Sequence, residues 1–144
     1  MSKIEEFLSE EEEAEVVDAI RRAERKTSGE IRVHIEKTSK GEIWDRAMEV
    51  FHLLKMDNTK EDNGVLIYVA IDDRKFIIYG DKGINAVVPK DFWETTKDAI
   101  ASEFKKGNFK QGLIDGILRA GHELQAHFPW EEGDTNELSD KISK

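Results

Sequence analysis

The chain has 144 residues and no cysteine, and its 31 acidic against 22 basic side chains give a formal charge of −9. That length fits one domain whose single core buries roughly two-thirds of the surface an unfolded chain exposes. The missing thiols exclude disulfides, thiolate metal sites and cysteine nucleophiles, and an acidic chain without a local basic stripe disfavours a nucleic-acid partner.

The N-terminal MSKIEEFLSEEEE runs into acidic residues without an apolar signal core, and no later stretch reaches membrane-spanning length. The expectation is a soluble, cytoplasmic protein with no membrane anchor. Ser9 followed by Glu12 reads as a capping box, with Leu8 as a staple and Val16, Val17, Ile20 and Ala23 at helical spacing, so the first helix is predicted over 9–27. Ile31, Val33 and Ile35 then alternate with Glu30, Arg32, His34 and Glu36, the pattern of a strand near a sheet edge with one apolar and one polar face.

Trp44, Ala47, Met48, Phe51 and Leu54 mark a second helix, and the polar connection DNTKEDNG leads into Val65 to Ile71, an unbroken apolar run expected of a central strand covered on both faces. Strand, helix, strand in that order predicts a right-handed crossover joining parallel strands. Asp72-Asp73-Arg74-Lys75 is too short for another crossover, so Phe76 to Tyr79 returns antiparallel. Pro89 lies near the start of a third helix carrying Phe92, Thr96, Ile100 and Phe104, and Gly107 ends it. A fourth runs from Phe109 to Phe128, its pattern interrupted by Gly112, Gly116 and Gly121, which implies close backbone packing. Pro129 stops this helix, and the remainder reads as a mobile polar tail. The fold class is therefore α/β: one domain over 1–128, a mixed sheet between about four helices, and an acidic tail over 129–144.

Familiar catalytic patterns fail on spacing. His122 and His127 are five residues apart rather than four, so at about 100° per residue they diverge by about 140° and do not share a zinc ion. Counted as a calcium loop from Asp57, the sixth and twelfth places hold Asp62 and Tyr68 instead of Gly and Glu. Gly80-Asp81-Lys82-Gly83 lacks the ending of a phosphate loop and reads as a tight turn. His34 reads as a surface histidine with no nameable partner. Two acidic rims remain: Glu30, Asp62, Asn63 and Asp81 at one end of the sheet, and Glu36, Asp72 and Asp73 at the other. Hard oxygen ligands converging from separate loops suit Ca²⁺ or Mg²⁺ better than a transition metal, although charged residues populate sheet ends in any case.

Taken in order, TSGEIRV, NGVLIYVAIDDRK and GDKGIN, followed by the FW, FKKGNF and GLIDGI segments, resemble the soluble branch of the TPM-domain family over residues 8–128. The resemblance implies a mixed sheet between helices. It also implies divalent-cation binding, a phosphatase label and, in plant members, photosystem II repair in the thylakoid lumen; many members are exported or membrane-tethered, whereas this chain shows neither signal nor anchor. The family's motif residues fall on Gly29-Glu30, Asn63-Gly64 and Gly80-Asp81, which favours the first rim, with Asp115 in GLIDGI as a further ligand. The leading expectation is a non-catalytic module binding Ca²⁺ or Mg²⁺ through Glu30, Asp62, Asn63, Asp81 and Asp115. The alternatives are a metal-assisted phosphatase acting on phosphate monoesters, with Asp81 as ligand and Lys82 as cationic neighbour, and a protein-interaction adaptor using Trp93 or Trp130 toward an unidentified protein partner.

Overall fold

Ser9 caps the first helix: its hydroxyl accepts from the Glu12 N–H at 3.1 Å, while the Glu12 carboxylate accepts from the Ser9 N–H at 3.0 Å. That reciprocal pair satisfies two otherwise orphaned donors and sets the start of α1 (Glu10–Glu24). The computed structural model describes residues 7–130 and 142–143. After α1 come β1 (Glu30–Glu36), α2 (Ile43–Leu53), a 3₁₀ turn (Met56–Asn58), β2 (Gly64–Ala70), β3 (Lys75–Gly80), α3 (Lys82–Asn85), α4 (Phe92–Lys105) and α5 (Phe109–His127). Among the described residues, no helix is long and apolar enough to cross a membrane.

The strands form one sheet in the order β1-β2-β3, parallel between β1 and β2 and antiparallel between β2 and β3. β2 is buried along its whole length, as its unbroken apolar run requires. The register places Ile31, Val33 and Ile35 beside Val65, Ile67 and Val69, so these side chains share one face with Ile78. That face meets α1, α4 and α5 in the larger core. The opposite face carries Leu66, Tyr68 and Ala70, which pack with Ala47, Val50 and Phe51 of α2 and with Met56.

The glycines of α5 lie where helices and sheet approach closely. A Cβ on Gly116 would fall 2.7 Å from Ile100 Cδ1, and one on Gly121 would fall 2.8 Å from Ala23 Cβ, so α4 and α1 both lean on this helix. The cost of helical glycine is offset by that contact.

Two local expectations are corrected. The Gly80 to Gly83 turn is continued by the short helix α3, capped by Asp81. The polar row of β1 is not a solvent face: Glu30 and His34 are buried and Arg32 and Glu36 half-buried, because this row faces the same side as Tyr68 and α2. Alternation in a strand separates two faces but does not say which neighbours cover each.

The expected mobile tail lies outside the described residues over 131–141 and at 144. Its other residues are tied down. Pro129 bridges Thr27, and the Trp130 N–H donates to Lys26 O at 3.1 Å. Ile142 is buried in the larger core, and Ser143 pairs in parallel with His34 at the outer edge of β1.

Candidate functional site

The parallel register sets Glu30 beside Gly64, and the antiparallel register sets Val65 beside Gly80. The first residue of β1, the residue before β2 and the residue after β3 therefore meet at one end of the sheet, as the sequence predicts for Glu30, Asn63 and Asp81. Main-chain bonds fasten the loops together there. The Asp81 N–H donates to Gly64 O at 2.9 Å, and the N–H groups of Gly83 and Ile84 donate to Asp62 O at 2.8 and 3.3 Å. A Cβ on Gly83 would lie 2.6 Å from Asp62 O and nearer still to Glu61 O, so only glycine permits this approach. Asp62 itself is left-handed, with φ of 53°, a conformation aspartate tolerates better than most residues.

The side chains of this rim differ in their engagement. Glu30 is buried at the start of β1. Asn63 is buried as well, its N–H donating to Thr59 Oγ1 at 3.2 Å and its Nδ2 to Ser28 Oγ at 3.4 Å. Asp81 is half-buried and accepts the Lys82 N–H at 2.8 Å, capping α3. Asp62 lies 3.7 Å from Lys82 Nζ, an exposed pair of small energetic weight. Asp115 sits within α5, where its Oδ1 accepts from Gln111 Nε2 at 2.8 Å. Among the described residues, no group of three or more His, Asp or Glu side chains is arranged to hold a metal ion.

The opposite rim is built from carboxylates with firm protein partners. Glu36 accepts from Arg46 Nε at 3.0 Å, from a second Arg46 nitrogen and from the Tyr68 hydroxyl at 2.5 Å. Burial alone would raise its pKa, but the hydrogen bonds from Arg46 and Tyr68 outweigh burial and bring it from 4.5 to about 2. Burial and the adjacent Glu36 charge raise the Tyr68 hydroxyl well above its ordinary value. Asp73 accepts from the Ser39 N–H at 2.9 Å, from Thr38 Oγ1 at 3.0 Å and from Ser39 Oγ at 3.1 Å, which lowers its pKa.

His34 is the side chain that the sequence reading misplaced. Its ring stacks on Tyr68 with centroids 5.8 Å apart, and Nδ1 lies 2.8 Å from Ser143 Oγ. Nε2 is 2.9 Å from Glu36 Oε1, close enough for an ion pair but not aligned as a hydrogen bond. Burial lowers the His34 pKa and outweighs the opposing pull of the Glu36 carboxylate. One sequence signal pointed here: Tyr68 puts a hydroxyl in the otherwise aliphatic β2, and a buried tyrosine hydroxyl needs a partner. Arg46 and Ser143 carried no such signal. His122 and His127 are both exposed, in keeping with their rejection as a zinc pair. Trp93 packs against the larger core and donates Nε1–H to Asn85 Oδ1 at 2.7 Å, while Trp130 is more exposed.

Comparison with known proteins agrees with this architecture. The BA42 protein from the psychrophilic bacterium Bizionia argentinensis is 66% identical and superposes with a TM-score of 0.91, covering 100% of this chain and 99% of its own. The N-terminal domain of a P. gingivalis protein, 22% identical with a TM-score of 0.69, covers 85% of this chain and 79% of its own. The N-terminal domain of cg2496 from Corynebacterium glutamicum is 11% identical with a TM-score of 0.60, covering 81% and 74% respectively. These last two show a shared fold alone. No curated protein matches. Residues 2–123 match the TPM domain, and with the mixed sheet, the three-loop rim and the near-complete superposition on BA42 in place, the chain belongs to the TPM-domain family.

Proposed function

We propose that the chain is a non-catalytic binding module whose first rim takes a hard divalent cation, Ca²⁺ or Mg²⁺, through Glu30, Asp62, Asn63 and Asp81. The observation that carries this reading is the convergence of three loops: residues far apart in sequence are fastened at one sheet end by the Asp81 to Gly64 and Gly83 to Asp62 main-chain bonds. The donors there are carboxylate and amide oxygens, which fit a hard cation and not a metal seeking sulfur or imidazole. The donor set is poor in grouped carboxylates. It fits weak, partly hydrated binding, with a dissociation constant on the order of 10⁻⁴ to 10⁻³ M. Asp115 ranks below the others because its carboxylate is already engaged by Gln111.

The test is a Ca²⁺ titration of isotope-labelled protein followed by amide chemical shifts. Saturable movement centred on Glu30, Asn63 and Asp81 supports the site; movement scattered over surface carboxylates, or concentrated at Glu36 and Asp73, sinks it. A parallel Mg²⁺ titration separates the ions, because Mg²⁺ demands stricter octahedral geometry and sheds water reluctantly.

A further inference from the structure

The outer edge of β1 carries a small recognition pattern with its occupant in place. Strand pleating turns the N–H and C=O groups of Ile31, Val33 and Ile35 away from β2. The Ile31 N–H is taken by Glu24 Oε2 at 2.9 Å. Further along, the Ile35 N–H donates to Ser143 O at 2.9 Å, and the Ser143 N–H donates to Val33 O at 2.8 Å. The two residues of the arriving segment face opposite sides, as strand residues must. Ile142 enters the apolar core, and Ser143 places its hydroxyl 2.8 Å from His34 Nδ1.

We propose that this edge is a docking strand for an extended peptide bearing an aliphatic residue followed by a hydroxyl residue, and that Ile142-Ser143 is its resident occupant in cis. Two observations and one general rule support exchange with a peptide from another molecule. β1 is 7 residues long, yet among the described residues the segment bridges it only at His34. Among the described residues, the attachment comprises two main-chain hydrogen bonds, one side-chain hydrogen bond and one buried aliphatic side chain. Each element is generic to strand addition, in which main-chain pairing supplies affinity and pockets for alternating side chains supply specificity. The aliphatic pocket and His34 are those two pockets. The resident segment has the advantage of an effective concentration in the millimolar range, so a free peptide competes poorly until the segment is displaced.

The experiment uses the full chain. In the Ile142→Asp variant, a charge replaces the buried isoleucine, and exchange of the Ile35 amide is expected to accelerate at least tenfold while Ile67 and Val69 in β2 keep their protection. Adding the synthetic hexapeptide SDKISK at millimolar concentration is expected to restore Ile35 protection and to shift the amides of Val33, His34 and Ile35. The same peptide with aspartate in place of isoleucine is expected to do neither. Should Ile142→Asp fail to fold, Ser143→Pro removes the donor to Val33 and serves the same comparison. Unchanged Ile35 exchange in a folded variant overturns the proposal, as does an opened edge that ignores the peptide. If the edge ignores peptide and the wild type instead pairs with itself as concentration rises, the occupant is a second copy and the free-peptide reading is overturned.

Discussion

The two ends of the sheet carry similar numbers of acidic side chains and use them differently. At the Glu36 end, carboxylates close the structure: Glu36 joins Arg46 of α2 to Tyr68 of β2, and Asp73 holds the Thr38-Ser39 turn. At the Glu30 end, the closing is done by main chain, with Asp62 O and Gly64 O as acceptors and Gly83 allowing the approach. A carboxylate count therefore does not distinguish the two ends. Glu36 and Asp73 each accept several hydrogen bonds, whereas Asp81 accepts the Lys82 N–H and Asp62 lies in an exposed pair with Lys82.

The largest effect expected from this contrast comes from glycine. Gly83→Ala drives a Cβ into the Glu61 and Asp62 carbonyl oxygens, which belong to the main chain and do not rotate away. Chemical denaturation is expected to show a loss of about 3 kcal/mol or more. The matched change at the other end, Gly41→Ala, meets nothing within 4 Å and is expected to stay within about 0.5 kcal/mol of wild type. Equal losses at both positions would show that the two rims are not fastened differently.

Next in size is Glu36→Gln. The folded pKa of Glu36, about 2, lies below the ordinary 4.5, so its contribution is complete above 4.5 and is lost as pH falls through 2. Removing the charge is expected to cost on the order of 2 to 3 kcal/mol at pH 7 and to flatten the decline in stability between 4.5 and 2. Denaturation midpoints recorded across that window for both proteins provide the check. An acid limb that persists unchanged in the variant would remove Glu36 from its place at the centre of this rim.

Periodicity made the element order legible. The alternation in β1, the unbroken run of β2 and the i+4 steps of α4 each follow from one local rule, and the short link from Asp72 to Lys75 forced the antiparallel return. The glycines of α5 were legible too, since an unfavourable residue repeated on one helix calls for a packing reason. What could not be read was the commitment of each polar group. Asp73 depends on partners 34 and 35 residues away, and His34 on a serine 109 residues away. Such pairings are set by how α2 and the C-terminal residues settle on the sheet, which no window of sequence contains. The meeting of the rim residues was predictable from topology, whereas the burial of Glu30 and Asn63 was not.

The cation reading predicts a smaller effect on stability, felt in calcium-bound protein at one rim and in calcium-free protein at the other. With a dissociation constant of about 1 mM, 10 mM Ca²⁺ stabilises the folded chain by roughly 1.4 kcal/mol. Asp81→Asn is expected to abolish most of that gain while leaving the calcium-free protein close to wild type, because an asparagine oxygen still caps α3 by accepting the Lys82 N–H. Asp73→Asn should do the reverse, disturbing the Thr38-Ser39 turn in calcium-free protein and leaving the calcium-dependent increment intact. Thermal melts of the two variants with and without Ca²⁺ measure both quantities at once. If Asp73→Asn erases the increment and Asp81→Asn preserves it, the cation belongs to the rim assigned here to structure, and the backbone-fastened end must have another role.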